Sequence, residues 1–201
     1  MKLRYTIILT LCLLCGFGAT ADAKKRNAHA EAHKQQLAAA RSNGLEKSTI
    51  NRLVEEDIAE RENARTLDSE TERMLDDLLA EAHSHLGKRY SRGSKGPKAF
   101  DCSGFSSYVY RQFGYNLSPS SSAQFTQGEK VERSDLRKGD LVFFTGRNSR
   151  GGVGHVGIVV DADENGHFRF IHAATSRGII VSDCNEPYYA KRYIGSKRVI
   201  E

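Results

Sequence analysis

The residues best able to do chemistry begin with Cys102, in the run Phe100-Asp-Cys-Ser-Gly-Phe105. It follows a loop rich in Gly, Ser and Lys (Ser91 to Lys98) and opens a segment in which Phe105, Val109 and Phe113 recur at the spacing of one helix face. Cys102 is therefore expected at a helix N-terminus, where unpaired backbone N–H groups and the helix dipole favour negative charge. Such a setting lowers a thiol pKa, and the thiolate is the nucleophilic form. Two imidazoles follow, in Gly154-His155-Val156-Gly157 and Ile171-His172-Ala173. A cysteine nucleophile needs a base, and the base needs a partner that holds its tautomer. The set reads as a cysteine hydrolase.

The elements that must position these groups are legible in outline. Asp161 to Gly166 is a turn cluster between two strand-like runs, His155–Val160 and His167–His172. If the turn closes evenly, Val160 faces His167, and the same register sets His155 opposite His172, with Cβ atoms ~4.5–5.5 Å apart. Further strands are expected at Asp140–Phe144, Ile179–Ser182 and Gly195–Ile200. Upstream, Ser69-x-x-Glu72 has the form of a capping box. Met74, Leu75, Leu78, Leu79, Ala82 and Leu86 then line one side of a helix that Gly87 would stop, with His83 and His85 read as surface residues. Helices followed by an antiparallel sheet make an α+β layout. Residues 24–68 are polar and contain no aromatic side chain; Ile50, Leu53, Val54 and Ile58 fit one short amphipathic helix, and the remainder reads as an extension or linker.

The chain's 201 residues suit one good core with an appendage. Two basic residues in Met1–Arg4, an apolar run from Tyr5 to Leu14 too short to span a bilayer, and the small-residue sites Ala19-Thr-Ala21 and Ala21-Asp-Ala23 identify residues 1–23 as a secretory signal peptide. The mature protein is then expected in the periplasm, the cell envelope or the medium, with no remaining membrane span. Cys15 raises lipoprotein anchoring, but Leu14 stands before it where a small residue is expected. Removing Lys2, Arg4 and Asp22 takes the formal net charge from +5 to +4. The basic residues mingle with acidic ones and form no stripe, which argues against nucleic-acid binding. Cleavage leaves Cys102 and Cys184. A bridge between them is one reading in an oxidising compartment; a free nucleophile is favoured because one of them starts a helix and two histidines follow. No close Cys or His pairing among the four supports zinc. His29 and His33 share a helix spacing and read as a solvated face.

Tyr90-Ser-Arg-Gly93, Asp101-Cys-Ser-Gly-Phe105, Leu117 to Gln124, Gly139-Asp-Leu-Val-Phe-Phe144, Gly154-His-Val-Gly-Ile158 and Phe170-Ile-His-Ala173 occur in that order. Together these six blocks resemble the NlpC-type cell-wall cysteine peptidases, a papain-like group of peptidoglycan endopeptidases, over about residues 75–201. The resemblance implies a papain-like α+β domain, taken as 69–201, that needs no metal or organic cofactor and acts on peptidoglycan stem peptides. It implies Cys102 as nucleophile, His155 as general base and His172 as the residue orienting His155. Tyr90 would stand near the thiol, and Asp101 and Ser103 would help recognise substrate. Cleavage of γ-D-glutamyl-diaminopimelate or D-alanyl-diaminopimelate bonds is implied. An amidase or acyltransferase on the same fold, and a catalytically inactive wall-binding module, are the alternatives. The family often has Pro-Arg where this chain has Ser118-Pro119, which bears on substrate preference and not on the chemistry.

Overall fold

The computed structural model describes residues 31, 32, 34, 35, 38, 47–146 and 151–201. Residues 1–23, read above as an export signal, with Cys12 and Cys15, and the His29/His33 pair lie outside them.

Helix α1 runs unbroken over Lys47–Ser84, 38 residues without a glycine or proline. The capping-box reading at Ser69 is thus corrected. The residues before it are good helix formers, and nothing there forces the backbone out of the helix. The short amphipathic helix expected around Ile58 is likewise part of α1. Its upstream part stands in solvent, with Ile58 and Leu67 exposed, and carries the i,i+4 pairs Arg52–Glu56 and Asp57–Arg61. Contact with the domain is made just past Ser69, where the Thr71 hydroxyl reaches the Glu201 carbonyl at 3.5 Å and Lys138 pairs with Glu72 and Asp76. From there Leu75, Leu78, Leu79 and Ala82 are buried. Leu86, past the helix end, is exposed.

Helix α2 spans Cys102–Gln112 and buries Phe105, Val109 and Tyr110 against the end of α1. Each such side chain contributes roughly 1.5–3 kcal/mol on leaving water. A short helix α3 (Ser121–Gln124) follows. The strands are β1 (Glu129–Val131), β2 (Leu141–Thr145), β3 (Val153–Ala162), β4 (Phe168–Ala174), β5 (Gly178–Asp183) and β6 (Tyr193–Arg198), with helix α4 (Pro187–Ala190) between the last two. They form one antiparallel sheet in the order β1-β6-β2-β3-β4-β5. Leu141 and Phe143 of β2 point to the helices, in a core with Val156, Ile158 and Ile171. Val142 and Phe144 point to the other face, against Phe168, Phe170, Cys184 and Tyr189.

The β3–β4 hairpin departs from the even register. Ala162 pairs with Phe168 and Asp161 with Arg169, but the next pairs are Val159 with Phe170 and Ile158 with Ile171. Val160 is the extra residue of a bulge. Carried straight on from the turn, the ladder would set Ile158 opposite His172, and the two histidines would fall on opposite faces. The one-residue bulge instead brings Gly157 to the position opposite His172. His155, two residues away, shares its face. The expected direct pairing of His155 with His172 is therefore corrected to a diagonal one.

Candidate active site

Cys102 is held by what surrounds the start of α2. Asp101 is the N-cap, its backbone extended at φ −93 and ψ 179. One carboxylate oxygen accepts the N–H of Gly104 at 2.6 Å, and the other accepts the N–H of Gly93 at 2.8 Å, tying the preceding loop to the helix. Gly104 is required by close approach: a Cβ there would lie 2.3 Å from the Ser94 carbonyl oxygen. The Ser103 hydroxyl donates to the Pro119 carbonyl at 3.0 Å. Fully buried Gln124 donates to the carbonyls of Ser103 and Ser118 and accepts from the Ser106 hydroxyl at 2.8 Å, clamping α3 to α2. Asp101 and Ser103 thus have their polar atoms engaged within the chain, and neither lines the cleft described below. The structure gives both a place in holding the nucleophile's helix.

The thiol is half-buried and free, and Cys184 is a second free cysteine in the core of the opposite sheet face. Backbone N–H groups of Ser103, of Val156 and of Cys102 itself point at the sulfur. They lower its pKa, but burial, followed by the Asp101 carboxylate, outweighs them and holds the thiol above its ordinary value. Burial also pushes His155 down to about 4. His172, wholly buried, lies well below the usual histidine value, through burial first and then the neighbouring His155 and Arg177. The lowered thiol pKa expected of a helix start is therefore corrected: burial and Asp101 outweigh the backbone N–H groups. Desolvation disfavours the charged form of the thiol and of the imidazole alike.

His155 Nε2 lies 2.9 Å from His172 Nδ1, with the rings edge to face at 89°. His172 Nε2 lies 3.1 Å from the Ser182 hydroxyl and 3.2 Å from that of Tyr189. These contacts set the proton order. For His155 to accept at Nδ1, its Nε2 must carry hydrogen and donate to His172 Nδ1. His172 then carries hydrogen on Nε2 and donates to a hydroxyl oxygen. Gly157 leaves the room this needs: a Cβ there would lie 2.5 Å from the Phe170 ring and 3.3 Å from His172 Cβ.

A cleft of about 290 Å³ opens at one end of the central strands, where β2 and β4 end and β3 begins, and Cys102, His155 and Tyr90 all line it. Burial, followed by the neighbouring sulfur and Asp101, raises the pKa of Tyr90, so its hydroxyl keeps its proton. Sequence reasoning missed Ser182 and Tyr189. Strand parity on β5 would have placed Ser182 on the histidine face, whereas Tyr189 sits on a four-residue helix with no comparable signal. His85, expected at the surface, is buried against Phe100 and Tyr108 and bonds Glu81 at 2.9 Å. Among the described residues one group has metal-ligand chemistry, His167, Asp183 and Cys184. Its sulfur already receives the Phe168 N–H at 3.2 Å and the Arg133 guanidinium at 3.3 Å, and the latter opposes a metal cation.

A thiol at a helix start, on helices packed against one antiparallel sheet that presents an imidazole pair, is papain-like architecture. The chain belongs to the NlpC/P60 family, which it matches over residues 87–198. It is 45% identical over 116 residues to the murein DD-endopeptidase MepS/murein LD-carboxypeptidase of Escherichia coli, covering 57% of each chain. It is 47% identical over 95 residues to the probable endopeptidase p60 of Listeria grayi, covering 44% of this chain and 18% of that one. The chain thus spans under two thirds of these relatives. Among solved structures, an NlpC/P60 family protein from Bacillus cereus superposes with a TM-score of 0.57 at 30% identity, over 63% of this chain and 40% of that one.

Proposed function

We propose that the protein is a cysteine endopeptidase that hydrolyses amide bonds in peptidoglycan stem peptides or cross-links, at γ-D-glutamyl-diaminopimelate or D-alanyl-diaminopimelate. The observation that carries the reading is the Cys102 thiol, at the start of α2 with backbone N–H groups aimed at it, in one cleft with an imidazole whose tautomer is set from behind. Relatives named as a murein DD-endopeptidase/murein LD-carboxypeptidase and as a probable endopeptidase support the substrate class.

In this reading His155 Nδ1 takes the thiol proton as sulfur attacks the carbonyl carbon, so charge appears only as the bond forms. Backbone N–H groups at the helix start stabilise the oxyanion. His155 returns the proton to the leaving amine, and the acyl group stays on Cys102 as a thioester. Water, deprotonated by the same imidazole, then releases the acid. His172 orients His155, and Ser182 and Tyr189 orient His172. Tyr90 shapes the cleft beside the sulfur; Asp101 and Ser103 act by holding the helix. Residues 1–23 serve as an export signal, placing the enzyme in the envelope or outside it. The catalytic domain follows from about residue 69, part-way along α1. Digestion of purified muropeptides with wild-type and Cys102→Ala protein, read by mass spectrometry, tests this. New free amines are expected only with wild type, and undiminished cleavage by the variant overturns the assignment.

A further inference from the structure

We infer that Arg177 and Glu186 form a two-charge clamp for the zwitterionic end of a diaminopimelate side chain, so that the cleft selects stems carrying that residue over stems carrying lysine. The inference rests on the stem-peptide reading above in its γ-D-glutamyl-diaminopimelate form, because a D-alanyl cross-link acylates the side-chain amine that the clamp would hold.

Arg177 lies in the turn between β4 and β5, and Glu186 stands at the start of α4; both line the cleft that contains Cys102. Among the described residues lining it, these two are the basic and the acidic side chain. The others are aromatic, hydroxyl, glycine and alanine side chains with the thiol and His155. Arg177 Nη2 lies 3.6 Å from Glu186 Oε2, and the two side chains are 56% and 37% exposed. That distance is beyond a hydrogen bond, so the two charges are adjacent but do not saturate each other. Each is nonetheless oriented. Glu186 Oε1 accepts the Asp183 N–H at 3.0 Å, and the Arg177 guanidinium reaches the Tyr189 hydroxyl.

An adjacent cation and anion, both open to solvent, complement a ligand that bears an anion and a cation equally close together. The free end of a diaminopimelate side chain is such a group, with an amino group and a carboxylate on one carbon. Its carboxylate meets the guanidinium, which has five donors in a planar fork, and its ammonium meets the Glu186 carboxylate. A lysine side chain brings only the ammonium, which leaves Arg177 unanswered and sets two cations near each other. Amidation of the diaminopimelate carboxyl has the same effect. Because the pair is partly solvated, each charge is expected to be worth about tenfold in discrimination, the lower end for charged hydrogen bonds.

The test compares kcat/KM for three purified stem peptides, carrying diaminopimelate, amidated diaminopimelate or lysine, with wild type, Arg177→Gln, Glu186→Gln and Arg177→Glu. Thermal melting of each variant is measured alongside. Wild type is expected to prefer the diaminopimelate stem by about tenfold or more, mainly through KM. Each variant should move the diaminopimelate-to-lysine ratio towards one, with Arg177→Glu the largest change. Equal wild-type rates on all three stems overturn the inference and leave the stem-peptide reading standing. Variants that slow all stems by one common factor also overturn it, because they reveal a merely structural pair. Failure of wild type to cut any stem overturns the stem-peptide reading, and the clamp with it.

Discussion

Replacing Gly157 with alanine should damage both stability and turnover through a side chain that touches no substrate. The new Cβ would lie 2.5 Å from Phe170 Cδ2 and 3.3 Å from both His172 Cβ and the Ile171 carbonyl oxygen. Carbon atoms rest at about 3.5–4.0 Å, so the Phe170 ring must withdraw by roughly 1 Å. It has nowhere free to go: its centroid is 4.9 Å from those of Phe144 and Tyr189 and 4.8 Å from that of His172. Overpacking of this kind costs about 1–3 kcal/mol, which in a domain of this size lowers Tm by roughly 3–12 °C. The strain passes to His172 and Tyr189, loosening the 2.9 Å bond that orients His155. A misplacement of about 1 Å can cost ~10²-fold in rate. The assay is kcat/KM on a muropeptide with a parallel melt. Gly114→Ala is the control, because Gly114 has φ +85 with nothing within 4 Å of its Cβ and should lose stability without losing activity. Wild-type activity in Gly157→Ala, whatever its Tm, would refute the claim that this glycine positions the histidine pair.

Iodoacetamide should label Cys102 well before Cys184, which is 2% exposed; peptide mapping after a timed pulse checks this, and equal labelling contradicts it. His155→Ala should lose more activity than His172→Asn, since general-base assistance is worth ~10²–10⁴-fold while asparagine can still accept a hydrogen bond; steady-state kinetics of the two variants decides, and the reverse order exchanges the roles. Because both histidines have folded pKa values below the ordinary 6.5, His155 at about 4, the unfolded chain binds more protons on the acid side. Stability should therefore be full above pH 6.5, decline as the pH falls from there, and flatten for His155 below about 4. Urea melts of wild type and His155→Gln across that range should show a shallower decline in the variant. Asp101→Asn keeps an N-cap acceptor but removes a negative charge that raises the thiol pKa, so the pH at which Cys102 becomes alkylated should fall; Asp101→Ala should also lose about 1 kcal/mol of stability.

That Cys102 and His155 would come to one place was legible because it depends on local signals. Asp101 and Cys102 lie where a glycine- and serine-rich loop meets a helical period, and a β-branched run, 155–160, leads into a turn cluster at 161–166. What was not legible depends on tertiary contact. Ser69 and Glu72 have cap chemistry, but a cap forms only where the helix is interrupted, and the residues before them interrupt nothing. The register of the β3–β4 hairpin hinges on Val160, and a bulge has no residue-type signature when the extra residue is another valine. Strand β1 is three residues with only Val131 buried, too short for alternation to register. His85 appears polar along the chain and is buried because the segment after α1 folds Phe100 and Tyr108 around it. The direction of the thiol and imidazole shifts depends on desolvation, which no spacing rule measures.

Helix α1 also fixes a working radius. Between Lys47 and Glu70 none of the described side chains is buried, and at 1.5 Å per residue that stretch is about 36 Å long. A flexible chain of the same length would have a mean end-to-end distance of roughly 27 Å with a broad spread that includes near contact. The rod excludes the short distances. If its far end is held at one point, the cleft patrols a shell about that point, and its effective concentration close to the anchor falls towards zero.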